Sequence, residues 1–457
     1  MVDFPAIDAH PWTGPGRVAL TARPGPRSYR LSHAIAWALY DVANSSFTTL
    51  IVTFIYSTYF VEYMSGTSRA LSTVWTTAVA VTAIVVALLS PLLGAIADRG
   101  GYRKRFLLAF SATCVVATAA LAFVEPGAYQ LAIVVFVIAN VAFEMGSAFY
   151  DSFLPDLVPR ERIGRVSGLG WGLGYVGGIF ALLVALYGFV QTDSALYPMI
   201  GGALGLTTER GAHVRATALL VAVWFAIFTI PFLALVPEPR AVGGARAGNP
   251  VVEGFKQLAT SLKQVRKYRQ IVRLILARLI YNDGLVVIFG LGAVFAQQVY
   301  GFATDEIIVF GIVLNIAAGI GAIAFGFLDD RIGGRNTILA SLIGLAAAGT
   351  FAVLGQSRTT FWIAAIVVGL LAGPNQSASR SLLGRFVPDD KEAEFYGFFA
   401  FSGKATAFLG PLLYGSLTAM TGTDRAGMSV TVVFFIIGGL LLLRVNEREG
   451  IAASGRE

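Results

Sequence analysis

The chain has 457 residues, of which 56% are hydrophobic and only 13% are charged. Soluble globular chains carry about 25% charged residues, so this composition excludes an array of water-soluble domains, which could not cover their own surfaces. The net charge of +7 does not point to nucleic acid, because the basic residues collect in alternate connections between apolar runs.

Residues 1–31 hold Pro, Gly and Arg without the apolar core of a cleavable signal, and are expected to be a cytoplasmic tail. Twelve apolar runs follow, at about 33–62, 71–97, 105–124, 128–154, 165–190, 214–236, 272–300, 303–328, 336–355, 359–384, 395–420 and 427–444. Each is long enough to cross a hydrocarbon layer of about 30 Å as a helix, whereas barrel strands alternate over about ten residues. The expected fold class is therefore an all-α membrane protein, its first span acting as the insertion signal. Arg99, Arg103, Lys104, Arg105, Arg160, Arg162, Arg331, Arg335, Arg385 and Lys391 fall in every second connection, and the alternate ones carry few bases. By the positive-inside rule this sets both termini in the cytoplasm, with a bacterial-type inner membrane the expected location. Cys114 is the sole cysteine and there are three histidines, so neither an internal disulfide nor a Cys/His metal site is expected.

The longest polar connection, 237–271, divides an N-terminal half (32–236) from a C-terminal half (272–445), and 446–457 reads as a cytoplasmic tail. Within the connection Val251, Phe255, Leu258, Leu262 and Val265 recur at helical spacing, with Lys256 and Lys263 turned away and Arg266 at the flank. This predicts an amphipathic linker helix at the membrane interface. The two halves repeat. Gly94, Asp98, Arg99, Gly101 and Arg103 match Gly326, Asp330, Arg331, Gly333 and Arg335 at an offset of 232 (98 to 330). The stretch Ser152–Pro159 matches Ser381–Pro388, and Gly168 matches Gly397, at an offset of 229 (168 to 397). Leu39-Tyr40-Asp41 more weakly resembles Ile280-Tyr281-Asn282.

The paired Gly-x-x-x-Asp-Arg-x-Gly loops resemble the signature of the major facilitator superfamily. Val236-Pro237-Glu238-Pro239-Arg240 is similar to the acidic-basic motif that closes the sixth helix in many members. The resemblance covers residues 32–445 and implies two pseudo-symmetric six-helix bundles with the first, fourth, seventh and tenth helices lining a central cavity. Trp37 to Ser45, Tyr150 to Pro159, and Ser379-Arg380-Ser381 with Glu394 to Gly397 resemble one branch, the fungal vacuolar amino-acid effluxers linked to autophagy and their bacterial relatives. That resemblance implies transport of amino acids or similarly small polar solutes. Gly170 to Gly178 resembles the fifth-helix motif of drug/proton antiporters, but Tyr175 stands where that motif has proline.

Ionisable groups inside the membrane are costly and point to function. Asp41, Asn44, Ser45 and Thr48 share one helical face, as do Asn140, Glu144, Ser147 and Asp151. Asn375, Gln376 and Ser379 follow Gly373-Pro374, where proline can kink a helix. Asp41, Asn44, Glu144, Asn282, Asp283, Asn375 and Gln376 are expected to form the polar cavity lining, with Lys404 as an intramembrane cation and Arg278 close enough to its span's end to snorkel out. Burial makes proton uptake by a carboxylate easier near neutral pH, and Glu144 or Asp41 is the expected carrier. Each could instead be a packing carboxylate paired with Lys404 or Arg380. Asp151 and Arg380, equivalent in the repeat, could pair as a gate. Asp98, Arg99, Arg103, Asp330, Arg331 and Arg335, with Glu238 and Arg160 or Arg162, are expected to form a charge network that breaks on inward opening. The Gly170, Gly174, Gly178 ladder reads as a packing face.

The expected function is secondary active transport of a small polar solute by alternating access, coupled to protons, in a monomer in the lipid bilayer without a cofactor or nucleic acid. An exporter of drugs or lipophilic compounds, and a non-transporting membrane sensor or assembly factor, remain as alternatives. No Gly-x-x-x-x-Gly-Lys-Ser/Thr loop is present to drive transport with ATP, and no nucleophile constellation suggests an enzyme.

Overall fold

The computed structural model describes residues 29–64, 68–238, 249–264 and 266–455. Pro239, Arg240, Val265 and the tail before Tyr29 lie outside the described residues. The apolar runs form membrane helices α1 (Leu31–Tyr63), α2 (Ser68–Gly100), α3 (Arg103–Leu121), α4 (Tyr129–Asp151), α5 (Ile163–Ala185) and α6 (Thr217–Leu235). The second set is α7 (Arg269–Tyr300), α8 (Thr304–Ile332), α9 (Gly334–Leu354), α10 (Arg358–Phe386), α11 and α12 (Asp424–Leu442). Among the described residues, eleven helices are long and apolar enough to cross a membrane. The twelfth crossing, α11, falls short because it is broken into α11a (Glu392–Lys404) and α11b (Leu409–Thr421).

That break corrects the expected continuous span at 395–420. Pro411 has no amide to offer the Ala407 carbonyl one turn earlier, which favours the break at Ala405–Phe408, although α2, α6 and α10 run unbroken through Pro91, Pro231 and Pro374. In α1, Ser45, Ser46 and Thr48 turn their hydroxyls back onto the carbonyls of Asp41, Ala43 and Asn44. Such back-bonding competes with the regular ladder, and α1 widens into a π-helical segment, Phe47–Phe54.

Each half packs on its own apolar core. One is built around Trp37, Tyr40, Phe136, Phe149 and Phe232, the other around Tyr281, Phe295, Leu342, Phe361 and Phe435. Large apolar side chains also cover the outside, with Leu88 and Ile343 both 70% exposed, an arrangement that suits lipid rather than water. The halves meet along two equivalent seams, α5 against α8 and α2 against α11a. Close approach needs small residues there: a Cβ on Gly397 would lie 2.7 Å from the Pro91 Cα.

The linker helix (Pro250–Lys263) is capped by the Asn249 side chain, but its face toward the protein is not the apolar one. Val251 and Phe255 are exposed, while Gly254, Gln257 and Ser261 are buried. Gly254 sits on Ile96 of α2, and Gln257 and Ser261 reach α11a. The expected C-terminal tail contains a further helix, Glu447–Ser454, packed beside α10.

Candidate functional site

Costly polar groups stack in three layers between the halves, from the middle of the bundle to the end that carries the basic connections. The middle layer holds Glu144 of α4 and Lys404, the last residue of α11a, joined by a 2.5 Å ion pair. Their side chains are 19% and 32% exposed, so the pair borders accessible space rather than a sealed core. Lys404 stands twelve residues into α11a, about 18 Å of rise. Beside it, Gln376 donates to Asn282 at 3.4 Å and Asn282 donates to the Gly403 carbonyl at 3.3 Å.

The second layer lies seven residues along α4, about 10 Å nearer the basic end. Arg380 of α10 bridges Asp151 at 3.0 Å and Asp41 at 3.1 Å, with further bonds to the Ser167 hydroxyl and carbonyl. Its guanidinium lies 4.6 Å from the Trp37 ring centre, and Trp37 is itself stacked on Tyr150. Gly170 is required where α5 passes this cluster, because a Cβ there would lie 2.5 Å from Asp41 Oδ2 and 3.0 Å from the guanidinium. Arg278 adds a second positive charge near Asp151, and the aromatic faces and Ser167 complete the solvation of Arg380.

The third layer caps helices. Asp98 accepts the amides of Ala393 and Glu394, at 3.1 and 2.8 Å, at the start of α11a. Asp330 accepts those of Gly164 and Arg165, at 2.8 and 3.3 Å, at the start of α5, and also pairs with the Arg165 side chain. A carboxylate at a helix N-terminus meets unpaired amides and the positive end of the dipole. Both of these caps cross from one half to the other. Two more stay within a half: Glu238 accepts the Lys104 amide of α3, and Glu447 accepts the Gly334 and Arg335 amides of α9. Burial raises the Glu238 carboxyl above its ordinary value, and the Lys104 amide opposes that shift.

Arginines hold these caps in place. Arg103 reaches Asp156 at 2.7 Å and stands 3.7 Å from both Asp98 and Glu392. Arg385 reaches Asp329 at 2.7 Å and lies 3.6 Å from Asp330 and 3.7 Å from Glu447. The expected network gave the second role to Arg335, the repeat partner of Arg103. Arg335 instead points at the Leu443 carbonyl and Asn336, and Arg385 takes the place because α10 carries arginine where the turn after α4 carries Asp156. Arg99 and Arg331 form no ion pair with any described residue, and Arg160 bonds Ser454 in the C-terminal helix.

Several expected cavity residues have other neighbours. Asp41 belongs to the Arg380 cluster. Asn375 is fully buried and donates to Ser341 of α9, inside the C-terminal half. Asp283 is buried against the break in α11, where the Thr406 hydroxyl donates to it. Asn44 is half-buried, with a buried Oδ1 that meets no partner among the described residues. Arg278 does not snorkel out: it is 7% exposed, donates to the Phe399 carbonyl and the Ser402 hydroxyl, and stacks 3.7 Å from the Phe399 ring centre. Its bonds to α11a and the Phe399 ring hold the guanidinium inside the bundle.

Glu392, Asp329, Arg385 and Glu447 were not singled out from the sequence. The 229 offset aligns Asp156 with Arg385, a signal as strong as the one that joined Asp151 to Arg380. Glu447 follows α12 as Glu238 follows α6, which only the repeat could have revealed.

A family model described as "Vacuole effluxer Atg22 like" matches residues 60–455. The chain belongs to this family. Among Atg22-like relatives, an MFS-type transporter of Bacillus subtilis, YxiO, is 27% identical over 425 residues, 92% of this chain and 96% of that protein. Autophagy-related protein 22 of Coccidioides immitis is 22% identical over 78% of this chain and 70% of its own. The fold is that of the major facilitator superfamily. The proton:xylose symporter XylE aligns with a TM-score of 0.70 at 13% identity, covering 93% of this chain and 98% of its own. The human organic anion transporter MFSD10 aligns with a TM-score of 0.67 at 16% identity, covering 92% of this chain and 100% of its own. An Atg22-like chain of this fold is a membrane transporter, not an enzyme, and takes a small-molecule substrate.

Proposed function

We propose that the protein moves a small zwitterionic solute of the amino-acid class by alternating access, with protons supplying the drive. The observation that carries this reading is the Glu144–Lys404 pair, partly exposed between the halves. A zwitterion brings both charges needed to replace it. Its carboxylate takes Lys404 and its ammonium takes Glu144, so one ion pair becomes two and neither side chain is left bare at low dielectric. Asn282 and Gln376 add hydrogen-bonding groups at the same level, which favours a polar solute over a lipophilic one. Protonation of Glu144 releases Lys404 and weakens the hold on the ammonium group, which links the proton to substrate release.

The basic connections set the capped end in the cytoplasm, with both termini there. Among the described residues, the hydrogen bonds and ion pairs between the halves run from that end up to Glu144–Lys404 and no further. The conformation is then outward-facing, with the cytoplasmic side sealed. Inward opening pulls α5 from α8 and α2 from α11a, stripping Asp98 and Asp330 of their amide donors while the Glu238 and Glu447 caps travel intact with their halves. The effluxer description of the family supports export, the fold shared with a proton:xylose symporter supports proton drive, and the protein works as a monomer in a bacterial inner membrane. Proteoliposome flux of a labelled amino-acid panel, with and without an imposed pH gradient, tests the reading. Specific ligand binding without any flux would mark a sensor instead.

A further inference from the structure

We infer that Asp283 and the break in α11 form a sodium-ion site, distinct from the Glu144–Lys404 pair.

Asp283 lies fourteen residues into α7, about 21 Å along the helix, and is 1% exposed. A carboxylate at that depth is costly unless a positive charge meets it. The cations of the surrounding helices are engaged elsewhere: Lys404 with Glu144, and Arg278 with the Phe399 carbonyl and Ser402. Among the described residues no base pairs with Asp283. Its Oδ1 receives only the Thr406 hydroxyl at 3.3 Å, and its Oδ2 is buried and meets no hydrogen-bonding partner.

The groups gathered around it are oxygens. The Thr406 hydroxyl also lies 3.1 Å from the Leu279 carbonyl, and Gly410 packs on the carbonyl of Asp283 itself. Thr406 belongs to the broken stretch, so α11a ends here and presents the negative end of its dipole and carbonyls without the amides a continuing helix would supply. Broken membrane helices of this kind hold coupling cations in other transporter folds. One carboxylate with hydroxyl and carbonyl oxygens suits a hard monovalent ion; a divalent ion calls for more negative charge. A proton is the competing occupant: on Oδ1 it would be donated to the Thr406 hydroxyl while that hydroxyl turns to the Leu279 carbonyl, and only sodium makes stability depend on the sodium concentration at fixed pH.

The ion would tie α7 to the break in α11, next to the residue that ends α11a, Lys404. Its occupancy would therefore fix how Lys404 is presented to Glu144. Cation binding is measured on the purified full chain without any solute, so it stands or falls separately from the amino-acid reading. The test is thermal unfolding in detergent across a NaCl titration, with choline chloride holding ionic strength constant. The wild type is expected to gain about 1–3 °C at sodium tenfold above half-saturation. Asp283→Asn is expected to lose that response and to unfold at a higher temperature than wild type in sodium-free buffer. Thr406→Val, which keeps the carboxylate, is expected to need at least tenfold more sodium, and decides the matter if Asp283→Asn does not fold. A wild type that responds no more to sodium than to choline overturns the assignment. So does a sodium response that survives in either variant unchanged.

Discussion

Asp98 and Asp330, 232 positions apart in the repeat, each cap the N-terminus of a helix in the opposite half. The helices they cap, α11a and α5, are themselves repeat partners, so the two caps are one contact made twice across the pseudo-twofold axis. A cap of this kind contributes about 0.5–2 kcal/mol. Asp98→Ala or Asp330→Ala is expected to shift the conformational equilibrium two- to thirty-fold toward opening of the basic end. Maleimide labelling of Ile323→Cys, whose side chain meets Gly172 in the α5–α8 seam, in a Cys114→Ser background, reads that shift as faster modification.

Glu238 and Glu447 make the same chemical contact but within one half. Their replacement by alanine should lower thermal stability by a similar 0.5–2 kcal/mol, roughly, while leaving labelling of the α5–α8 seam at the wild-type rate. A change in that rate would mean these caps also distinguish the two states.

Arg380 serves two carboxylates, so its removal and theirs are not equivalent. Arg380→Gln leaves Asp41 and Asp151 without the counter-charge they share and is expected to cost about 3–5 kcal/mol. Asp151→Asn leaves Asp41 on the arginine and should cost clearly less. A double-mutant cycle over Asp41→Asn and Asp151→Asn should be non-additive. Additive losses in chemical denaturation would argue against one shared cluster.

Pro411→Ala returns an amide donor to the Ala407 carbonyl and is expected to favour a continuous α11. The protein should be as stable as wild type or more so, yet transport should fall at least tenfold, because Lys404 and Thr406 would leave their partners. Thermal unfolding and flux measured on the same preparation separate the two effects; unchanged flux would show the break to be incidental.

The spans and their duplication were legible in the sequence because lipid imposes a length and the repeat fixes an offset. Helix faces were legible within one helix: Glu144 and Asp151 do share a face of α4. What each face meets was not. Asp41 and Asn375 carry the same polar signature as Glu144, but Asp41 meets Arg380 of the other half and Asn375 meets Ser341 inside its own. Local spacing says nothing about which neighbour stands opposite. The linker helix shows the converse, since Val251 and Phe255 of its apolar stripe face outward while Gly254, Gln257 and Ser261 face the protein. Hydrophobic pattern marks a buried face only where water is the solvent on the other side. Gly410-Pro411 sits at the break in α11, but Gly373-Pro374 lies inside an unbroken α10, so the dipeptide alone does not mark a break.

The most direct test of the central claim is solute flux into proteoliposomes carrying wild type or Glu144→Gln, with an imposed pH gradient present or absent. Wild type should accumulate or extrude a labelled neutral amino acid in response to the gradient. Glu144→Gln should lose the response to pH and bind the zwitterion at least tenfold more weakly, because Lys404 keeps its site but the ammonium loses its partner. Gradient-driven flux in Glu144→Gln equal to wild type would contradict the account.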